Sequence, residues 1–359
     1  MVGICWIHCW FFYLLHTKFD YFIVEPIEPE HINENESSNE SNHETKAHGL
    51  PKPVLVQDKK NWVRKSIISL AIYAVLFLFI FKTEPVYIAA VLLVLLIHEF
   101  GHFFAMKAFN YSNVKLFVLP LLGAYVTGQK SVISQKQMSI IILAGPVPGI
   151  IIGFALVLTS FYYPSEKLLM LAHIFIGLNF FNLLPFMPLD GGRLLENLFI
   201  NHNHTLRITF TIISIITLTI VSLLLGSLIF LIIPASMVFD LIMEIKNQKI
   251  REYLDQENIN YTTDYDNLSN ENYWTIRDCI LLSFNKRYAG IQAGVHQYSV
   301  LEGGIIQHVV ALLKTPIIKD LKFFGKFITV FIFILFLSLP IAYYIPKLIS
   351  ALLTANLNQ

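Results

Sequence analysis

The run Val86-Tyr-Ile-Ala-Ala-Val-Leu-Leu-Val-Leu-Leu-Ile97, then His98-Glu-Phe-Gly-His102 and Phe103-Phe-Ala-Met106, decides how the chain is read. It is apolar for roughly the 20 residues that a helix needs to cross a bilayer. Inside it stands H-E-x-x-H. On a helix, residues four apart project from one face, so His98 and His102 can share a metal ion. Glu99 lies beside that face, placed to accept a proton from a water on the metal. Three ionisable residues within five positions of an apolar helix cost on the order of a few kcal/mol each when uncompensated. One metal with its water satisfies all three.

Working outward, composition agrees with a membrane setting. Of 359 residues, 55% are hydrophobic and 14% charged, against roughly 25% charged in soluble domains. The apolar residues fall in blocks at about 66–81, 85–106, 139–162, 168–185, 208–225, 227–245 and 327–345. The expected fold is an all-α polytopic membrane protein of about six to seven transmembrane helices. Residues 110–137 are broken by Pro120, Gly123 and Gly128 and rich in β-formers, which suits a small re-entrant β-hairpin dipping toward the metal helix. The net charge of +1 and the lack of any recognition motif give no sign of nucleic-acid binding.

Four regions are expected: an apolar start and acidic disordered tail (1–50), a membrane-embedded core (51–250), a small cytoplasmic cap or interfacial segment (251–320), and a last transmembrane helix with its tail (321–359). Cys5-x-x-His8-Cys9 matches no common metal spacing and reads as small apolar residues in an aromatic-rich start. Lys59, Lys60, Arg64 and Lys65 hold the start of the first helix in the cytoplasm. Alternation from there puts Lys107, Lys115, Lys130, Lys136, Arg193 and Arg207 inside, with the Tyr163–Lys167 turn outside. His98 and His102 then sit in the cytoplasmic half of their helix.

A catalytic zinc takes three protein ligands and leaves one position open. The continuation H-x-x-G-x-x-H fails, because Ala105 and Ala108 stand where it needs glycine and histidine. No Asp or Glu occurs between Glu99 and Glu166, and Glu166 is at the outer face. The third ligand must come from a distant segment at the right depth. Asn182-Leu-Leu-Pro185-Phe-Met-Pro188-Leu-Asp190-Gly191-Gly192 offers Asp190 on a proline-broken backbone. Asp190 also reads as a helix N-cap, and Asp240 is the rival carboxylate. Asn182 reads equally as an oxyanion or peptide donor and as an interhelical hydrogen bond; Asn179 reads as the latter. His173 reads as packed core.

These residues resemble a family. His98-Glu-Phe-Gly-His102 in one membrane helix, with Asn182-Leu-Leu-Pro185-x-x-Pro188-Leu-Asp190-Gly191 in another, looks like the site-2 protease family of intramembrane zinc metalloproteases, the M50 peptidases. Ala144-Gly145-Pro146 is similar to that family's glycine-proline segment. The resemblance covers about residues 66–245. It implies one Zn2+ per chain on His98, His102 and Asp190, Glu99 as general base, and transmembrane protein substrates cut within the lipid bilayer. The Tyr163–Lys167 turn leaves no room for the PDZ domain some members carry there, and residues 251–320 lack a CBS pattern. The expected location is multi-pass in a bacterial plasma membrane, active site toward the cytoplasm. The expected activity is a zinc metalloendopeptidase acting in regulated intramembrane proteolysis, with Asn182 as a second catalytic residue. A non-cutting membrane scaffold and a metal-ion transporter are the alternatives.

Overall fold

Helix α1 (Pro85–Ala108) begins with proline in its first turn, where the missing N–H costs nothing. It ends in a Schellman closure. Asn110 takes a left-handed φ of 58°, its N–H reaches Lys107 O (3.0 Å), and Tyr111 N–H reaches Met106 O (3.1 Å). Lys107 in the last turn suits the negative end of the helix dipole. Strands β1 (Ser112–Leu119) and β2 (Gly123–Gln129) follow as an antiparallel hairpin, pairing Leu116 with Val126 and bulged between Ser112 and Lys115. Leu116 and Val126 pack on Leu92 and Leu96 of α1. Tyr111 and Val114 pack with Phe103, Met106 and Ile141. The expected hairpin thus lies along the helix that carries the histidines.

This computed structural model describes residues 50–54, 64, 67–72, 75, 84–119, 123–200, 203–226 and 228–357. The apolar start at 1–24, its Cys5-x-x-His8-Cys9 pattern, nearly all of the acidic tract and most of the 66–81 block lie outside the described residues. The chain divides into two units, Met1–Asn61 with Glu244–Thr315, and Trp62–Met243 with Pro316–Gln359.

In the larger unit, a short β3 (Ile133–Ser134) leads into α2 (Gln135–Ala144), whose N-cap Ser134 accepts from Gln137 N–H. Gly145 and Pro146 separate α2 from α3 (Pro146–Tyr162), because proline cannot donate to the preceding turn. Ser165 caps α4 (Glu166–Asn182). After it the chain leaves helical geometry through Pro185 and Pro188, then forms α5 (Asp190–Leu195) and one π turn (Glu196–Ile200). Helix α6 (His204–Leu224), a 3-10 turn (Leu228–Leu231), α7 (Ile232–Gln256), β4 (Ile317–Ile318, parallel to β3) and α10 (Phe323–Leu357) complete the unit's elements. Its core joins Ile142, Ile150, Leu183, Leu194, Leu198, Leu321 and Phe333.

Among the described residues, four helical stretches are long and apolar enough to cross a membrane: Pro85–Ala108, Gln135–Tyr162, His204–Leu224 and Phe323–Pro346. Beside the 66–81 block, which lies mostly outside the described residues, two expected spans are not among them. Helix α4 has only 17 residues, and the 227–245 block opens as a 3-10 turn and continues to Gln256 through charged residues. Outward-facing Ile212, Ile213, Ile216 and Ile220 on α6, and Phe327, Phe331 and Ile334 on α10, are exposed. An apolar outer face of this kind suits acyl chains, and the chain is a multi-pass membrane protein.

The smaller unit contains the end of α7 from Glu244, then α8 (Asn270–Ser283) and α9 (Glu302–Leu312). These helices cover the two amphipathic stretches expected near 276–284 and 305–313. They bury Tyr273, Trp274, Ile276, Ile280, Ile305, Ile306 and Val309. At their centre Arg277, fully buried, meets Glu302 through Nε–Oε1 (2.9 Å) and Nη2–Oε2 (3.1 Å). Tyr273 OH donates to the same carboxylate at 2.6 Å. A buried ion pair is tolerated when its remaining atoms are also satisfied, as they are here.

Candidate metal centre

His98 and His102 lie one turn apart on α1, and the proline-broken segment after α4 brings Asp190 to them. His98 Nε2 is 3.1 Å and His102 Nε2 3.3 Å from Asp190 Oδ2. The two Nε2 atoms are 3.2 Å apart. Side-chain exposure of the three residues is 3%, 12% and 8%. Asp190 stands in the first turn of α5, and Leu189 is the N-cap. Among the described residues this is the one group of three His, Cys, Asp or Glu side chains arranged to hold a metal. Asp240, the rival carboxylate, is not in it.

The histidine tautomers decide what the cluster can do. His102 Nδ1 is 2.8 Å from Ile141 O. A carbonyl only accepts, so Nδ1 carries the proton. His98 Nδ1 is 2.8 Å from Asn179 Oδ1. Asn179 Nδ2 is committed to Phe175 O at 2.7 Å, which fixes the amide with its oxygen toward the histidine. His98 Nδ1 is therefore also protonated. Both Nε2 atoms present lone pairs, and Asp190 Oδ2 presents a third. Three acceptors about 3.2 Å apart repel unless a cation sits among them. Tetrahedral zinc with ligands at about 2.0–2.1 Å sets ligand atoms about 3.3 Å apart, so the donor set and its spacing fit zinc.

Close backbone approach makes the geometry possible. A Cβ on Gly101 would strike the Ala144 carbonyl, and one on Gly145 would strike the His102 ring. The α2–α3 break thus lies directly against the metal helix. A Cβ on Gly149 would strike the Asn179 amide. A reciprocal amide clamp holds the Asp190 side. Gln135 Nε2 donates to Asn197 O (2.6 Å), and Asn197 Nδ2 donates to Gln135 O and Ser139 Oγ (both 3.0 Å). Lys326 Nζ bonds Leu198 O at 3.0 Å.

Glu99 is buried, with 5% exposure, beside His98. Asn182 bonds its own helix, Nδ2 to Leu178 O at 3.2 Å. Asn179, which the sequence marks only as an interhelical hydrogen bond, is the residue that orients a histidine. The signal was its three-residue offset from Asn182 in an apolar helix. His173 is half-buried and packs near Tyr343 and Tyr344.

A model of Peptidase family M50 matches residues 86–169, which include the two histidines and Glu99 but not Asp190. The chain is 32% identical over 119 residues to Zinc metalloprotease MJ0392 of Methanocaldococcus jannaschii, covering 30% of this chain and 34% of that one. It is 33% identical over 115 residues to Stage IV sporulation protein FB of Bacillus subtilis, covering 30% and 38%. The chain thus spans little more than a third of the length of either curated relative. The solved structure of the site-2 protease from Methanocaldococcus jannaschii overlays with a TM-score of 0.38 at 22% identity, over 49% of this chain and 86% of that one. With the H-E-x-x-H helix inside the matched stretch, the chain carries a Peptidase family M50 domain.

Proposed function

We propose that this protein is a zinc metalloendopeptidase of the site-2 protease type, hydrolysing peptide bonds in transmembrane segments of other proteins. The observation that carries the reading is the convergence of three lone pairs from His98, His102 and Asp190, with both imidazoles held in the metal-binding tautomer. These residues would hold one zinc. When bound, zinc supplies Lewis acidity, which lowers the pKa of water from near 16 toward about 7.

The chain's own residues supply the rest. Glu99 accepts the proton as water adds to the carbonyl carbon, then returns it to the leaving amide nitrogen, so one water is consumed and an acid and an amine are released. Burial of Glu99 keeps bulk water from exchanging that proton. Asn182, one turn beyond Asn179 on α4, is the proposed donor to the carbonyl oxygen, exchanging its bond to Leu178 O for the substrate. A helical substrate shields its carbonyls, so the scissile stretch must be extended. We assign the open edge of the β1–β2 hairpin, along α1, to hold it as an added strand. The role extends to regulated intramembrane proteolysis, with six to seven spans and the active site toward the cytoplasm.

The test compares purified wild type with Glu99→Gln. Both should retain one zinc per chain by elemental analysis, while the variant loses cleavage of a reporter transmembrane segment. Equal cleavage by the two would refute the assignment of Glu99. Zinc passing into liposomes at the same rate with both would replace the protease reading with transport.

A further inference from the structure

The smaller unit holds something the metal centre does not use. Leu50-Pro51-Lys52-Pro53-Val54 lies on it without helix or strand, more than two hundred residues away in sequence. Two prolines fix φ near −65° and bias the residues before them to extended geometry, so the segment is pre-shaped as a polyproline II strand. Side chains of the unit read its backbone in succession. Trp274 Nε1–H donates to Leu50 O at 2.5 Å, Tyr298 OH to Pro51 O at 2.6 Å, and Tyr265 OH to Pro53 O at 2.8 Å. Asn270 Oδ1 accepts from Lys52 N–H at 3.0 Å. Trp274 is stacked with Tyr298 and His296, which stiffens that wall.

Lys52 makes the recognition chemical as well as geometric. Its ammonium donates to three carbonyls of one turn: Tyr265 O (2.6 Å), Asp266 O (2.8 Å) and Leu268 O (2.6 Å). It also sits 5.2 Å from the centre of the Tyr265 ring. Three tetrahedral donors meet three acceptors; a planar guanidinium cannot reproduce that set. Pro53 is buried while Leu50, Pro51 and Val54 remain exposed. Aromatic grooves that grip proline-flanked strands through their carbonyls are a recurring mode of peptide recognition.

We propose that the unit formed around Glu244–Thr315 is a peptide-docking module for an extended Pro-Lys-Pro segment, and that Leu50–Val54 of this chain is its resident ligand. Docking in cis pins the chain just before the basic cluster Lys59, Lys60, Arg64 and Lys65. The latch is releasable, because a Pro-Lys-Pro segment presented in trans competes for the same groove. The resident ligand has the advantage of an effective concentration on the order of millimolar.

The test uses the full chain in detergent and a fluorescein-labelled peptide of residues 48–56, read by anisotropy. The triple variant Pro51→Gly, Lys52→Ala, Pro53→Gly empties the groove. It should bind the peptide saturably and at least tenfold more tightly than wild type. A peptide with arginine in place of Lys52 should bind the variant at least tenfold more weakly. Adding Tyr298→Phe should weaken binding several-fold. If emptying the groove loosens the unit, its near-ultraviolet dichroism falls, and the native peptide but not the arginine peptide should restore it. A triple variant that neither binds the peptide nor regains dichroism with it overturns the proposal, as does equal binding of the lysine and arginine peptides.

Discussion

Replacing Asn179 by alanine probes the metal centre without touching a ligand. Asn179 is fully buried, and its Oδ1 is the acceptor for His98 Nδ1–H at 2.8 Å. With that acceptor gone, the imidazole keeps a buried N–H without a partner or turns its tautomer, and the second choice removes the Nε2 lone pair. An unsatisfied buried donor costs about 1–3 kcal/mol, and about 1.4 kcal/mol is a factor of ten. The zinc dissociation constant should therefore rise between about 5- and 150-fold, which brackets the roughly 10- to 100-fold typical of such supporting partners. Asn179→Asp keeps an acceptor and should restore most of the affinity. Gly149→Ala should act like Asn179→Ala, because the new methyl displaces the same amide from the side of α3. The assay is chelator competition in detergent with bound zinc counted by elemental analysis. Wild-type zinc affinity in a folded Asn179→Ala protein would refute the reasoning about the tautomer.

Three further outcomes follow from other parts of the molecule. Gly145→Ala drives a methyl against His102 and should release zinc while the helical dichroism stays at the wild-type level. Glu302→Ala leaves the Arg277 guanidinium buried without its carboxylate and should cost the smaller unit about 3–5 kcal/mol in thermal melting, whereas Arg277→Met with Glu302→Leu should recover much of the loss. Burial, with Arg287 and Lys246 nearby, lowers the His308 pKa from 6.5 to about 4. Between those values the unfolded chain binds the extra proton, so the contribution is complete above pH 6.5, is lost as the pH falls, and levels off below about 4. That is about 3 kcal/mol at most, and His308→Leu should flatten this part of the pH dependence of melting.

The parts of the site that were legible in the sequence are those with short-range or exclusionary logic. His98 and His102 follow from helical spacing alone. Asp190 follows from the lack of any acid between Glu99 and Glu166, and from prolines that free the backbone at the right depth. The hairpin follows from β-formers interrupted by glycine. Asn179 is legible as an interhelical hydrogen bond, and it makes one to His98; that the partner is His98, and that Asn182 turns back on its own helix, is not, because three residues turn a helix by about 300°. Which of them meets His98 depends on the rotation of α4 against α1, and that is set by packing at Gly149. Among the described residues four stretches meet the length and hydropathy of a span, and the block at 227–245 is not one of them for a similar reason. Apolar length between 227 and 245 does not reveal that the chain there starts as a 3-10 turn. The docking of Leu50–Val54 joins residues too far apart for any local pattern to register.

The Gln135–Asn197 clamp has a consequence for how the centre is assembled. The histidines ride on one rigid helix, while Asp190 arrives on a six-residue helix with no long axis of its own to anchor it. The paired amides, with Ser139, tie the π turn that follows it to α2, beside the apolar contact of Leu194 with the Ile142 cluster. The site therefore behaves as a two-part jaw. An ion bound between the parts would act as a cross-link, and its binding free energy would be shared with the packing of the helices around it. Loosening the amide clamp would weaken the grip on a bound ion, and without the ion the amides and the core around Leu194 carry the join.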